Sequence, residues 1–261
     1  MYLPEKYSDG LPYEFDIVVA GVNNNSRYMG AIEWWFKYWL KIGSTAAKPI
    51  LPILLSINMT DAQLPSIAWG RTAHIDMDES IPSAMAAQLI RLYWPSTLVN
   101  FSGRVITTDI DMLPLSTKIF DNFTNVDPRT LIVYRDILRE SRQVPICYVS
   151  ATTLVWGEVM GSESSFGQIF QNLSSKLGGY SSIQGGNGWY TDQQILYSNI
   201  SMWESRVGSV LSLQDIDTGH RRLDRSHGSV KAILAAPLAK LGFYSDYHIP
   251  LPAEKYHKRL Q

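Results

Sequence analysis

The chain has little cysteine and no long apolar run. Cys147 is the only cysteine among 261 residues, so no disulfide can form within the chain. Free thiols are typical of reducing compartments. No apolar run reaches the roughly 18 residues of a membrane span, and the first residues lack a signal-peptide pattern. We therefore expect a cytoplasmic protein without a transmembrane segment, with peripheral attachment to a membrane as the alternative.

An excess of charge of either sign is also missing. The chain carries 23 basic and 24 acidic residues and a net charge of −1. Binding to a nucleic acid backbone needs a basic field, so we exclude nucleic acid as a partner. No linker or internal repeat interrupts the chain, and α/β domains often reach about 250 residues as one unit. We therefore predict a single domain over residues 1–261.

Short apolar runs alternate with amphipathic stretches. The pattern predicts strands at 15–20, 50–57, 104–108, 144–149, 153–156 and 207–213, and helices at 28–42, 83–93, 166–177, 191–203 and 229–241. Such alternation is typical of an α/β fold with a mostly parallel central sheet flanked by helices. Ligands of these folds bind at the carboxyl ends of the strands, so the residues just after each strand are the candidates for function.

Two carboxylates follow one predicted strand directly. Asp109 and Asp111 are separated by one residue after the run VITT at 105–108. Carboxylates so spaced can share one hard cation such as Mn²⁺ or Mg²⁺, which commonly links protein carboxylates to substrate phosphates. A solvated acidic turn is the structural alternative.

The segments AQLIRLYWP at 87–95 and VITTDIDML at 105–113 resemble GT-A glycosyltransferases related to glycogenin and bacterial lipopolysaccharide galactosyltransferases. The resemblance implies a single-domain, Rossmann-like GT-A fold and a metal ion, Mn²⁺ or Mg²⁺. It implies that Asp109 and Asp111 bind the metal and the donor, and that Arg91 lies near the donor. An exposed helix arginine is the alternative for Arg91.

The first strand leads into an asparagine-rich loop, GVNNNSRY at 21–28. In the family this loop meets the base and ribose, so the resemblance implies donor binding by Gly21, Asn23, Asn25 and Arg27. Asparagine side chains donate and accept hydrogen bonds and can match a uracil or guanine edge. A helix N-cap at Asn25 or Ser26 explains the loop equally well, and one residue can do both.

A glycine-rich turn, GGNGWYTDQQ at 185–194, is the second distinctive segment. The resemblance implies that Asp192 and Gln193 face the reacting sugar as catalytic residues. A capping box from Thr191 to Gln194, with Asp192 near the positive helix end, is the structural alternative. Trp189 in this turn and Trp156 are predicted to bind the acceptor, with core packing as the alternative for Trp156.

The late polar segment DTGHRRLDRSHG at 217–228 contains two histidines. GT-A enzymes often use a C-terminal histidine as a metal ligand, which implies His227 as the third ligand, with His220 as its rival. Lys231 follows and is predicted to reach the donor phosphates as a point charge. An exposed loop histidine is the alternative for each.

Together these features predict a metal-dependent glycosyltransferase. It would move a sugar from a UDP- or GDP-sugar to a hydroxyl acceptor, a glycan or a glycolipid. A sugar nucleotidyltransferase is disfavoured, because its Gly-rich phosphate loop bearing Arg and Lys is missing after the first strand. A catalytically inactive protein that binds a sugar or nucleotide on the same fold stays open, because fold alone does not determine function.

Overall fold

The structure is a computed structural model that describes residues 14–161, 166–181, 185–206, 208–225 and 243–252. Its strands are Asp16–Val22 (β1), Ile50–Ile57 (β2), Thr72–Ile75 (β3), Arg104–Thr107 (β4), Met112–Pro114 (β5), Thr130–Val133 (β6), Val149–Thr152 (β7), Ser209–Ser212 (β8), Arg222–Leu223 (β9) and Asp246–His248 (β10). Its helices are Ser26–Gly43 (α1), Ser83–Tyr93 (α2), Lys118–Asp121 (α3), Thr153–Met160 (α4), Phe166–Leu177 (α5), Thr191–Glu204 (α6) and Asp215–Thr218 (α7).

Seven strands form the central sheet in the order β3-β2-β1-β4-β7-β6-β8. β7 pairs antiparallel with both of its neighbours, whereas the other pairs in the sheet are parallel. A second, three-stranded sheet has the order β5-β10-β9. The predicted α/β class with a mostly parallel central sheet is therefore confirmed.

Side chains alternate along the buried strands, so both faces of the central sheet are apolar. Helices pack against both of these faces. Ile17 and Val19 of β1 join the apolar cluster that contains the buried residues of α2, α4 and α6. Val18 and Ala20 join the opposite cluster, which contains the aromatic face of α1. Six of the eight tryptophans are buried core residues: Trp34, Trp35, Trp39, Trp94, Trp156 and Trp203.

The predicted helices at 28–42, 83–93, 166–177 and 191–203 are confirmed as α1, α2, α5 and α6. The strands predicted at 144–149 and 153–156 are wrong. One strand, β7, covers Val149–Thr152, and helix α4 follows it. Thr152 caps α4 by accepting a hydrogen bond from the Val155 amide at 3.4 Å. Short apolar runs fit either structure, and Val155, Trp156, Val159 and Met160 form a buried helical stripe.

The strand predicted at 207–213 is observed as Ser209–Ser212. The helix predicted at 229–241 lies outside the described residues. Within the described part of the chain, every helix is too short or too polar to cross a lipid bilayer.

Candidate functional site

A cavity of about 230 Å³ lies at the carboxyl ends of β1 and β4, beside the helices α1, α2 and α6. Its described lining consists of Gly21, Val22, Asn23, Asn25, Tyr28, Ala84, Ala87, Gln88, Arg91, Asp109, Ile110, Asp111, Tyr180, Trp189, Tyr190, Asp192, Gln193, Arg225 and His248. Parallel strands bring their carboxyl ends to the same edge of a sheet, which explains why residues distant in sequence meet here.

The loop after β1 forms one wall of the cavity. A Cβ atom on Gly21 would lie 1.9 Å from the carbonyl oxygen of Ala87, so only glycine lets β1 and α2 approach this closely. Asn23 donates to the Ser83 hydroxyl at 3.0 Å. Asn25 accepts from the Arg27 amide at 3.0 Å and caps α1 while it also lines the cavity. Arg27 itself is exposed and is not among the described lining residues.

Arg91 connects the two acidic walls of the cavity. Its guanidinium donates to Asp109 and, at 2.9 Å, to the Oδ2 atom of Asp192. It also donates to the main-chain oxygens of Thr108 at 2.9 Å and Gln88 at 3.1 Å. The Arg91 side chain is only 8% exposed, which excludes the alternative of a surface arginine. A charge so buried is tolerated because carboxylates and carbonyl groups surround it.

The pKa values of the two carboxylates that face Arg91 are shifted in opposite directions. Burial raises the pKa of Asp109, but the charge and hydrogen bond of Arg91 outweigh it and the net direction is downward. Burial raises the pKa of Asp192, and here the opposing effect of Arg91 is not enough. Divergent pKa directions within one cavity are a feature of functional sites, although structural ion pairs produce them too.

Asp111 faces a different set of partners. Its Oδ2 atom lies 3.1 Å from Nη1 of Arg225 and 3.3 Å from Nε2 of His248. The Nδ1 atom of His248 lies 3.4 Å from Oδ2 of Asp224. Burial lowers the pKa of His248, but the hydrogen bond and charge of Asp111 raise it by more. His248 therefore stands between two carboxylates, with one ring nitrogen directed to each.

β10 carries His248 to this position. Its backbone pairs with β5, which begins directly after Asp111, and Ile249 donates its amide to the Asp111 carbonyl oxygen at 3.0 Å. The sequence interpretation missed His248 because it lies in a three-residue strand without periodicity. The sequence offered one signal for a polar site in this segment, namely an acidic residue, Asp246, two positions before the histidine.

His220, the rival ligand, has a structural role instead. Its Nε2 atom lies 3.1 Å from Oδ2 of Asp246, and Arg222 donates to the same carboxylate at 2.9 Å. Asp246 is fully buried and His220 is 5% exposed. This network ties β9 to β10, and His220 is not among the described residues that line the cavity. His227 and Lys231 lie outside the described residues, so both assignments stay predictions.

Aromatic side chains form the remaining wall. Trp189 and Tyr190 reach the cavity from the glycine-rich turn, in which Gly185 and Gly188 have φ of 78° and 76°, and Tyr180 reaches it from the segment that follows α5. The Tyr180 hydroxyl donates to Oε1 of Gln88 at 2.5 Å and holds the segment after α5 against α2. Burial and then the charges of Asp111 and Asp109 raise the pKa of Tyr28, which lines the opposite side.

Trp156 lies away from this wall, and its assignment to the acceptor is wrong. The indole is fully buried in the core, and its Nε1 atom donates to the Val105 carbonyl oxygen at 3.0 Å. A side chain without exposed surface cannot contact an acceptor. The alternative of core packing is correct, and Trp189 is the tryptophan that lines the cavity.

Asp192 and Gln193 begin α6 at the floor of the cavity. The helix N-cap is Tyr190 and makes no side-chain cap bond, so the capping box predicted from Thr191 to Gln194 is not formed. Asp192 instead accepts from Arg91 and from the Gln193 amide at 2.8 Å. The Oε1 atom of Gln193 is buried and has no hydrogen-bond partner among the described residues. A buried amide oxygen without a partner costs free energy, which a ligand donor can recover.

No group of three or more His, Cys, Asp or Glu side chains in the described ranges is arranged to hold a metal ion. Asp111 and His248 form a pair, with Nε2 of His248 3.3 Å from Oδ2 of Asp111. Any cation at this edge therefore needs ligands from outside the described side chains. Mg²⁺ and similar cations commonly take one or two carboxylates and complete their coordination with water and substrate phosphates.

No protein-family model matches the chain, and a search of curated proteins finds no match. Similar solved structures include the galactosyltransferase LgtC in complex with donor and acceptor sugar analogues, at 14% identity over 90% of this chain and 87% of that one, with a TM-score of 0.48. The glycosyltransferase GlyE of Streptococcus pneumoniae is similar at 16% identity over 92% of this chain and 55% of that one, with a TM-score of 0.49.

The bifunctional glycosyltransferase WbbM is similar at 11% identity over 92% of this chain and 46% of that one, with a TM-score of 0.49. This chain thus spans about half the length of GlyE and WbbM. All three are glycosyltransferases, the class of enzyme that the sequence resembles. Likenesses at this level do not transfer an activity, so function has to be argued from the residues of the cavity.

Proposed function

We propose that this protein is a metal-dependent glycosyltransferase that moves a sugar from a nucleotide-sugar donor, a UDP- or GDP-sugar, to a hydroxyl acceptor, a glycan or a glycolipid. The observation that carries the proposal is the buried guanidinium of Arg91, which holds Asp109 and Asp192 on two walls of one cavity. Asp109 belongs to the strand-end carboxylate pair, and Asp192 begins the helix at the floor. A donor and the atoms it transfers would lie between them.

The residues at the strand end suit a hard divalent cation, Mn²⁺ or Mg²⁺. Asp111 offers carboxylate oxygen and His248 offers imidazole nitrogen, 3.3 Å apart and directed at each other. A hydrogen bond from Nδ1 of His248 to Asp224 would leave Nε2 as the ligating atom, which is the usual arrangement for a metal-binding histidine. We therefore propose Asp111 and His248 as protein ligands; Asp109, whose carboxylate pairs with Arg91, would have to turn to join them. A bound cation would neutralise charge on the departing nucleoside diphosphate.

His227 remains proposed as a further or alternative histidine ligand. The two candidates are distinguished by cation affinity in His248→Ala and His227→Ala. Loss of Mn²⁺ binding in only one variant identifies the ligand. Lys231 is likewise proposed to contact donor phosphate, as a long side chain with a compact charge.

The wall formed by the β1 loop is proposed to receive the base and ribose. Gly21 brings the backbone close to α2, and Asn23 and Asn25 present amide groups at the cavity. The ring of Tyr28 faces the same space and offers a flat surface for stacking. Arg27, which is exposed nearby, is proposed to approach donor phosphate from solvent.

Asp192 and Gln193 are proposed to act on the reacting sugar. Both oxygens of Asp192 already accept hydrogen bonds, from Arg91 and the Gln193 amide. Each carboxylate oxygen can accept a second bond, so a donor-sugar or acceptor hydroxyl can still bind there. The unpartnered Oε1 of Gln193 supplies a further acceptor atom beside it. Trp189 and the partly exposed Tyr190 are proposed to contact the acceptor.

A thermal-shift screen of UDP- and GDP-sugars with and without Mn²⁺ tests the proposal. A ligand at one hundred times its Kd should add about 2.7 kcal/mol to the free energy of unfolding. Stabilisation by a nucleotide sugar that needs Mn²⁺ and is lost in Asp111→Asn supports it. Binding without release of a nucleoside diphosphate in the presence of hydroxyl acceptors would favour an inactive binding protein. Formation of a nucleotide sugar from a sugar phosphate and a nucleoside triphosphate would favour a nucleotidyltransferase.

A further inference from the structure

One oxygen atom of the site has two positively charged or proton-donating neighbours. The Oδ2 atom of Asp111 lies 3.1 Å from the guanidinium of Arg225 and 3.3 Å from Nε2 of His248. The Asp111 side chain is 7% exposed, so little water screens these contacts. The Arg225 side chain is 29% exposed and lines the same cavity, so it can reach other parts of the cavity.

Asp224 and Arg225 are adjacent in sequence and act on the site in opposite ways. Asp224 approaches Nδ1 of His248 at 3.4 Å and can accept the Nδ1 proton, so that Nε2 can release its own proton and bind a cation. Arg225 brings a fixed positive charge to the oxygen that a cation would use. An arginine keeps its charge at all ordinary pH values, so only movement of the side chain removes it.

A divalent cation and Arg225 cannot share Asp111 favourably. A ligating oxygen lies about 2.0–2.6 Å from Mg²⁺ or Ca²⁺, so a cation on Oδ2 would stand close to the guanidinium. A cation and a guanidinium that both contact one oxygen atom repel each other strongly where solvent is largely excluded. The guanidinium of arginine also forms paired hydrogen bonds with phosphate oxygens, and the donor diphosphate would have to lie in this cavity.

We propose that Arg225 occupies Asp111 until a nucleoside diphosphate binds, and then moves to the diphosphate and leaves Asp111 to the cation. This inference rests on the proposed function and adds its regulation. As a result of this movement of Arg225, the site binds its cation weakly when no nucleotide is present and tightly when the nucleotide is bound. Because coupling is reciprocal, the cation strengthens nucleotide binding by the same factor.

The test measures Mn²⁺ binding from the electron paramagnetic resonance signal of the free ion, alone and with UDP or GDP. The variants are wild type, Arg225→Gln, Arg225→Ala, Asp111→Asn and Arg221→Gln. Arg221 is the matched control, because its guanidinium stacks on the Phe243 ring at 4.1 Å outside the cavity. Thermal unfolding verifies that each variant is folded.

Both Arg225 variants should bind Mn²⁺ alone at least about fivefold more tightly than wild type, the lower end of usual coupling factors. The gain in Mn²⁺ affinity that UDP or GDP brings to wild type should shrink in them, and Arg221→Gln should match wild type. If wild type binds Mn²⁺ through Asp111 but the Arg225 variants bind it no more tightly, the inference is overturned and the proposed function stands. If no variant binds Mn²⁺ with or without nucleotide, the metal dependence of the proposed function fails and this inference fails with it.

Discussion

Arg91 and Asp192 are 101 residues apart in sequence, and their side chains meet at 2.9 Å in a buried ion pair. The same guanidinium holds Asp109. One helix residue thus fixes the distance between the strand-end carboxylates and the start of α6. We regard this bridge as the element that sets the width of the site, and its removal should affect both stability and ligand binding.

Replacing Arg91 by methionine should lower the free energy of unfolding by about 3–5 kcal/mol, because the substitution leaves the buried carboxylate of Asp192 without its counter-charge. Urea denaturation measures this loss. Arg129→Met is the matched control, since Arg129 pairs with Glu158 at 2.8 Å with half of its side chain exposed. An exposed pair of this kind contributes about 0.2–1 kcal/mol.

A second variant shows whether the loss comes from the buried charge. In Arg91→Met with Asp192→Asn the neutral amide should recover part of the stability, because burying an amide costs less than burying a carboxylate. Equal stabilities of the single and double variants would show that Asp192 is not the destabilised group.

Asp192→Asn alone should reduce turnover by about 10²–10⁴-fold if Asp192 takes part in proton transfer with the reacting groups. Asparagine keeps the size but offers one accepting oxygen for the two hydrogen bonds from Arg91 and the Gln193 amide, so the free energy of unfolding should also fall, by about 1–3 kcal/mol. Steady-state kinetics with the donor found by screening measures the effect. Turnover within a few-fold of wild type would leave Asp192 with a purely structural role.

Gly21→Ala should destabilise the fold and weaken donor binding, because the new Cβ atom would lie 1.9 Å from the Ala87 carbonyl oxygen. Overpacking of this kind costs about 1–3 kcal/mol. Gly157→Ala is the matched control, since its Cβ would meet only Ser96 Cβ at 3.7 Å and alanine favours a helix by about 0.5–1 kcal/mol. Chemical denaturation of both variants should give opposite signs; two losses of equal size would contradict the close packing of β1 on α2.

Asp246 should make the fold sensitive to acid. Burial raises its pKa, but hydrogen bonds and charge from His220 and Arg222 lower it to about 2. Because the folded pKa lies below the unfolded value of about 3.9, its contribution is present above about pH 4 and is lost as the pH falls towards 2. The difference in the free energy of unfolding between wild type and Asp246→Asn should therefore narrow from pH 5 to pH 3. Urea titrations at each pH provide the comparison.

The sequence predicted the carboxyl edge of the sheet well, for a physical reason. Parallel strands place their ends together, so Gly21, Asn23, Asp109 and Asp111 could be grouped before any coordinates were known. Asp192 was added to them through the resemblance to GT-A glycosyltransferases, in which the start of this helix faces the reacting sugar. The prediction of secondary structure failed where an apolar run is too short to show a period. The run that contains Trp156 was predicted as a strand and forms a helix.

His248 marks the limit of such reasoning. It reaches Asp111 because β10 pairs with β5, and pairing between strands of three residues far apart in sequence leaves no periodic pattern. The contact of Arg225 with Asp111 is equally hidden, since a charged residue in a polar loop usually faces solvent. Contacts formed by the small sheet therefore required the structure.

Release of a nucleoside diphosphate tests the central claim most directly. Wild type and Asp111→Asn should be incubated with UDP- and GDP-sugars, Mn²⁺ and a panel of hydroxyl acceptors, and the products measured by mass spectrometry. The account predicts that wild type forms a glycosylated acceptor and an equal amount of UDP or GDP from at least one donor, and that Asp111→Asn forms neither. Equal product formation by both proteins, or a folded wild type that neither binds nor cleaves any donor in the panel, would contradict it.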